Sequence, residues 1–364
     1  MLYSCIPAAR QDAARKSARP RIVRDRKDRA LRVDIHCHYL NPEVAQKLAP
    51  LDPKQHDALF RFSNTITREV NAKQVQERGP KLSSIETRLK DMDRMGIDIQ
   101  AISPAPNQLA YWAEPDFGAE VARMVNDRLA EIVAKWPDRF VALGSIPLQN
   151  ADLAVTELDR CVKELNLRGV EIIPNVNGKE LSDPQLGLDK FFARAEDLGI
   201  VIFMHPLGFS QGERLSDHYF NNVIGNPLET TVAVSHLIFD GVIDRHPKLK
   251  IVLPHGGGYL AHYWARMDHA HRARPDCRTA IKRAPSSYLK KFYFDTITFD
   301  PRMLRQMLDQ YGVDHVLLGT DYPYDMAEVD PVGLIAKIPR LARADRERIE
   351  GGNAARLLKI GRKK

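Results

Sequence analysis

The sequence predicts an α/β fold, a (β/α)₈ barrel of TIM type with inserted loops over its C-terminal face. Two observations carry this reading. Short apolar runs recur eight times from Arg32 onward, at 32–38, 97–104, 140–147, 167–174, 200–206, 249–256, 292–298 and 315–321. Helix-patterned stretches lie between them, at Ser84–Met95, Phe117–Trp136, Ala151–Leu165, Gln185–Leu198, Leu228–Arg245 and Pro301–Tyr311. Near-continuously apolar strands alternating with helices indicate a parallel sheet covered on both faces. Eight repeats of that unit favour closure into a barrel. No Gly-rich dinucleotide fingerprint follows any of the strands, which weakens the open-sheet alternative.

The elements follow in order. The first strand, Arg32-Val33-Asp34-Ile35-His36-Cys37-His38, ends on two histidines one residue apart. Alternation along a strand puts His36 and His38 on one face and Ile35 and Cys37 on the other. Residues 39–83 are too long for a simple connection and read as a partly helical excursion over the barrel mouth. The fifth strand runs into His205-Pro206. The insert after it, 207–227, is rich in Gly, Asn, Ser and aromatics and is placed beside His205, as active-site lids and binding loops often are. The sixth strand ends in Pro254-His255-Gly256-Gly257-Gly258, and the eighth in Gly319-Thr320-Asp321-Tyr322-Pro323. Near the end, Asn353 is expected to cap the helix that follows it.

At 364 residues with 44% hydrophobic and 28% charged residues, the chain can bury a large core. No apolar run approaches the roughly 18 residues of a membrane span. The four cysteines have no framework spacing, which favours a reducing, cytoplasmic setting. The net charge of +7 is confined to residues 1–32, where ten Lys/Arg face three Asp, so the rest of the chain is balanced. Residues 1–30 are therefore read as a basic, loosely packed N-terminal extension and 31–360 as the barrel. The charge belongs to the extension rather than the body, so neither a nucleic-acid nor a membrane partner is expected.

Active sites of such barrels lie at the C-terminal ends of the strands. There the first strand supplies His36 and His38, the fifth His205, the sixth His255 and the eighth Asp321. Three or four N/O donors with an open position suit one divalent metal, Zn²⁺ first, with Mn²⁺, Fe²⁺ or Co²⁺ as alternatives. His255 can be a ligand or a base. The glycines after it, expected to let backbone approach a substrate, favour the base. The remaining histidines, His56 among them, read as surface or packing residues; His218 is the exception because of its insert. Cys37 reads as a small core residue.

H-x-H, then H-P, then H-G-G-G, then G-[TS]-D-Y-P, in that order and on those strands, resembles the amidohydrolase superfamily, and within it the decarboxylating branch. The likeness covers about residues 30 to 360. It includes Pro227-Leu228-Glu229-Thr230-Thr231, Phe239-Asp240-Gly241-Val242 and Gly352-Asn353-Ala354-Ala355. The resemblance implies that His36, His38, His205 and Asp321 hold the metal and that His255 is the catalytic acid/base. It also implies that Arg266 binds a substrate carboxylate across a dimer interface. The chain departs from the branch in two places. Its H-P-W is His205-Pro206-Leu207 here, and the carboxylate-binding arginine of the first insert has no certain counterpart, Arg68 and Arg78 being candidates. Arg214 and His218 are further substrate-binding candidates.

The function expected is metal-dependent, non-oxidative decarboxylation of an aromatic or unsaturated carboxylic acid, with His255 shuttling the proton and Asp321 beside it. The alternatives are a hydrolase or hydratase using the same site, and a non-catalytic metal-binding subunit. The partners expected are a small-molecule carboxylate and a second copy of the chain, in a homodimer or higher homo-oligomer.

Overall fold

The eight apolar runs form eight parallel strands, hydrogen-bonded in sequence order. They are β1 (Val33–Tyr39), β2 (Ile99–Pro104), β3 (Phe140–Gly144), β4 (Gly169–Ile172), β5 (Val201–Met204), β6 (Lys250–Leu253), β7 (Tyr293–Asp295) and β8 (Val316–Leu317). This computed structural model describes residues 30–361. The basic extension read at 1–30 therefore falls, up to residue 29, outside the described residues. The barrel closes where Ile35 N–H donates to Leu318 O at 2.9 Å and His38 N–H to Tyr322 O at 2.8 Å.

Strand residues alternate between two apolar clusters. Ile102, Ala142, Ile172, Ile202, Met204, Leu253 and Leu318 face the surrounding helices. Ala101, Leu143, Val201, Phe203, Val252 and Leu317 face inward, where Ala354, Leu357 and Leu358 pack against them.

The helices follow their apolar spacing and their caps. In α1 (Pro115–Lys135) the buried positions Val121, Ala122, Val125, Leu129 and Ile132 recur every three or four residues, making one stripe toward the sheet. The Asn150 side chain accepts from Asp152 N–H and Leu153 N–H at the start of α2 (Ala151–Lys163), a cap that typically contributes about 1 kcal/mol. The helix expected over 228–245 is broken. It runs Asn226–Phe239 (α3), then Gly241 adopts φ +76° and a short helix, Val242–Arg245, follows. Asn353 is not a cap. It is buried, and its Nδ2 donates to Val313 O at 2.8 Å and Val316 O at 2.9 Å, tying the last helix to the start of β8.

The first insert is helical, as expected. Its longest helix, Thr65–Ser83, starts where the Asn64 side chain accepts from Thr67 N–H. No helix among the described residues is long and apolar enough to cross a membrane.

Candidate metal centre

Strict alternation fails at the first ligand strand, and that failure builds the site. Between Asp34 and Cys37 of β1, three steps oppose the two steps from Gln100 to Ile102 of β2, a β-bulge. As a result Ile35 packs in the inner cluster and Cys37 in the outer one. The two residues do not share a face, yet His36 and His38 still converge. Their Nε2 atoms lie 3.0 Å apart, and each is 3.3 Å from Asp321 Oδ1.

His205 completes the group: one donor atom from each of His36, His38, His205 and Asp321 lies within 4.8 Å of every other. All four residues are buried. Both His205 ring nitrogens and Asp321 Oδ1 lack a hydrogen-bond partner, which is costly for buried polar atoms unless something else satisfies them. Three imidazoles and one carboxylate with unsatisfied atoms aimed at one point fit a divalent metal.

Asp34 holds the two ligand strands together. One of its oxygens accepts from His36 N–H and Thr320 N–H, both at 3.1 Å. The other accepts from Thr320 Oγ1 at 2.7 Å and Gln100 Nε2 at 2.9 Å. Burial pushes its carboxyl up to about 6, against those hydrogen bonds. Arg88, fully buried, donates to Gln100 Oε1 and to the His38 carbonyl. A side chain at Gly319 would collide with Asp295 and His36, its Cβ falling 2.9 and 3.1 Å from theirs, so glycine is required there.

Electrostatics divide the imidazoles. Burial alone would lower His36, but the Asp321 and Asp295 carboxylates outweigh it and raise His36 to about 10. Burial lowers His38, and burial with the neighbouring imidazoles takes His205 well down. Asp321 is held well below the usual carboxylate range, because His36, His255 and His38 overcome the opposing effect of burial.

His255 stands beside this group. Its Nε2 is 3.8 Å from Asp321 Oδ2, the oxygen not shared by the two histidines. The residue takes φ +54° at the start of the Gly turn. The glycines do not line the cavity. A Cβ at Gly256 would strike Thr298 at 2.6 Å, and one at Gly257 would strike the Phe294 ring at 2.5 Å. Close packing behind His255, not access for substrate, requires them.

His205, His255 and Asp321 open on a cavity of about 260 Å³, roofed by the two inserts through residues such as Phe60, Arg78, Tyr219 and Asn226. Of the two arginines considered in the first insert, the structure brings Arg78 to this cavity, 3.7 Å from Asp325 and 2.6 Å from Gln74 Oε1. Arg68 instead stacks on Phe60 and hydrogen-bonds Ser63. Arg214, His218 and Arg266 are exposed, and none lines the cavity within one chain. Leu207, where the sequence departs from H-P-W, is on its wall.

Three polar residues of the site were missed in the sequence. Asp295 accepts from His36 at 2.7 Å. Glu171, pushed up to about 8 by burial, is 3.9 Å from His38 Nδ1. Asp34 is the third. Each is an acidic residue inside an otherwise apolar strand, whereas Asp321 was marked by ending its apolar run just before a turn.

Comparison with known proteins agrees with this geometry. The amidohydrolase family model matches residues 33–360. A 2-amino-3-carboxymuconate-6-semialdehyde decarboxylase of Dictyostelium discoideum is 34% identical, over 91% of this chain and 92% of that protein. The crystal structure of 5-carboxyvanillate decarboxylase from Sphingomonas paucimobilis superposes with a TM-score of 0.81 at 26% identity, covering 92% of this chain and all of that one. A dihydroxybenzoic acid decarboxylase from Polaromonas sp. JS666, with bound manganese and the inhibitor 2-nitroresorcinol, gives 0.77 at 27% identity, covering 92% and 98%.

Proposed function

We propose that this chain, which belongs to the amidohydrolase family, is a metal-dependent, non-oxidative decarboxylase of an aromatic or unsaturated carboxylic acid. The observation that carries the reading is the set of four convergent donors with His255 held outside it, facing the same cavity. The decarboxylase relatives support it. His36, His38, His205 and Asp321 would hold the ion, Zn²⁺ by donor chemistry, with Mn²⁺ the alternative that the Polaromonas enzyme contains. Bound there, a divalent ion acts as a Lewis acid toward substrate oxygens and lowers the pKa of a coordinated water.

The chain's own residues do the rest. His255 Nε2 gives a proton to the carbon bearing the carboxylate. The bond from that carbon to the carboxylate then breaks, its electron pair stays with the ring or polyene, and CO₂ leaves. Asp321 Oδ2 lies 3.8 Å from that nitrogen, beside the proton it would carry. Arg78, on the cavity wall, would pair with a second anionic substituent of the substrate. Arg266, exposed on its helix, would serve a second chain's cavity in a homodimer or higher homo-oligomer. Arg214 and His218, exposed and off the cavity wall of one chain, would reach a substrate only from a second chain. The free cysteines Cys37, Cys161 and Cys277 support a reducing, cytoplasmic setting.

The test is a screen of hydroxybenzoic and unsaturated dicarboxylic acids for CO₂ release, with metal-loaded and chelator-stripped protein. CO₂ release that requires the metal supports the proposal. Turnover of esters or amides without CO₂ would replace it with the hydrolase reading.

A further inference from the structure

A second cavity, of about 300 Å³, adjoins the metal-facing one, and the two have Asp57, Asn107 and Leu207 in common as wall residues. Its outer wall includes a flat aromatic plate: the His56 and Trp112 rings stack with centroids 4.3 Å apart and 5° between planes. Its floor includes a hairpin after β4, Asn175–Val176 against Lys179–Glu180, turned by Asn177 at φ +53° and Gly178 at φ +78°. That turn type matches the strand twist and needs residues that tolerate positive φ. Asn177 Nδ2 donates to Tyr111 O at 2.9 Å, clamping the hairpin to the loop that carries Trp112. Tyr111 and Arg61 are also wall residues, the Arg61 guanidinium lying over the Phe62 ring. This wall is pinned by named contacts from three loops, and its chemistry is mixed: a ring face, amides, a hydroxyl and a cation.

Ligand pockets usually enclose about 300–1,000 Å³. At about 260 Å³ the metal-facing cavity alone suits a single-ring acid, and the adjoining space roughly doubles the room. We propose that the substrate occupies both. Its reacting carboxylate lies at the metal site, and a second planar unit with hydrogen-bonding or anionic substituents passes the Asp57–Asn107–Leu207 wall to lie by the His56–Trp112 plate. The substrate class is then an extended aryl or polyenyl acid rather than a simple benzoate. This rests on the decarboxylase reading above. Leu207, the apolar member of the shared wall, sets whether the second unit can enter.

The experiment measures competitive binding of 2-hydroxybenzoate and its 3-, 4- and 5-phenyl derivatives to the metal-loaded protein. Burying one more ring should make at least one phenyl derivative bind tenfold or more tightly than the parent, roughly the gain of an aromatic side chain leaving water. In Leu207→Trp the indole fills the shared wall and that ratio should fall to near one. Trp112→Ala, which removes the plate without narrowing the wall, should also reduce it, and metal content checks that each variant is folded. A wild-type ratio near one for all three derivatives, or a ratio untouched by both substitutions, overturns the extended site while leaving the decarboxylase reading intact. Failure of the parent and all derivatives to bind also overturns the extended aryl site, and the CO₂-release screen above then decides the decarboxylase reading separately.

Discussion

His36 donates from Nδ1 to Asp295 Oδ2 at 2.7 Å, which leaves Nε2 as the nitrogen that a metal takes once its proton is displaced. The other Asp295 oxygen accepts from Gly256 N–H at 2.8 Å, in the turn that starts at His255. One carboxylate thus orients a metal ligand and anchors the segment carrying the proposed proton donor. Asp295→Ala should therefore weaken metal binding about 10- to 100-fold and lower turnover even at saturating metal. Chelator competition and steady-state kinetics measure the two effects. Wild-type metal affinity in this variant would remove Asp295 from the account.

The roles of His255 and His205 separate under mutation. His255→Ala should keep the metal and lose about 10²- to 10⁴-fold in rate, the usual cost of removing a positioned acid or base. His205→Ala should lose both metal and activity, since it removes one of four donors. Elemental analysis alongside kinetics decides it. A His255→Ala protein without metal would place His255 among the ligands.

Metal binding should release about one proton at neutral pH. In the metal-free site His36 titrates at about 10, so at pH 7 it carries a proton that the ion must displace. His38 and His205 are shifted down and already neutral, and Asp321 is ionised. Because the proton leaves on binding, affinity should rise about tenfold per pH unit between pH 7 and 9 and level off as pH approaches the His36 value. Metal-competition titrations over that range measure the slope. A flat profile would show that His36 is neutral before the metal arrives.

Removing residues 1–28 should leave activity and melting temperature nearly unchanged while lowering the isoelectric point. The segment holds eight Lys/Arg against three Asp, most of the charge excess, and the family match begins at residue 33. Calorimetry and kinetics of the truncated chain test this. Aggregation or lost turnover would assign the segment a part in the barrel or its assembly.

The barrel was legible because its strands are buried on both faces and announce themselves as apolar runs. The four donors were legible because each ends such a run. The helical character of the first insert was expected, but the bounds of its helix Thr65–Ser83 were not legible, for a physical reason: of its residues only Thr67 and Leu82 are buried, while Ile66 and Val75 are exposed. Roofing a cavity leaves no apolar stripe to read. The bulge in β1 was hidden because one inserted residue alters facing without altering composition. Asp295 and Glu171 lie within their apolar runs rather than at the turns that end them, so the signal that marked Asp321 was missing. Which arginine reaches the cavity depended on how the insert folds back, so spacing could not choose Arg78 over Arg68.

The most direct test of decarboxylation through His255 is the reaction of an accepted acid in D₂O, followed by mass spectrometry and NMR of the product with parallel measurement of CO₂. Proton delivery by His255 predicts one CO₂ per product and a single deuterium at the carbon that lost its carboxylate, with both signals falling together in His255→Ala. A product that retains the carboxylate and gains an oxygen from water would contradict the account and establish hydrolysis or hydration at the same site.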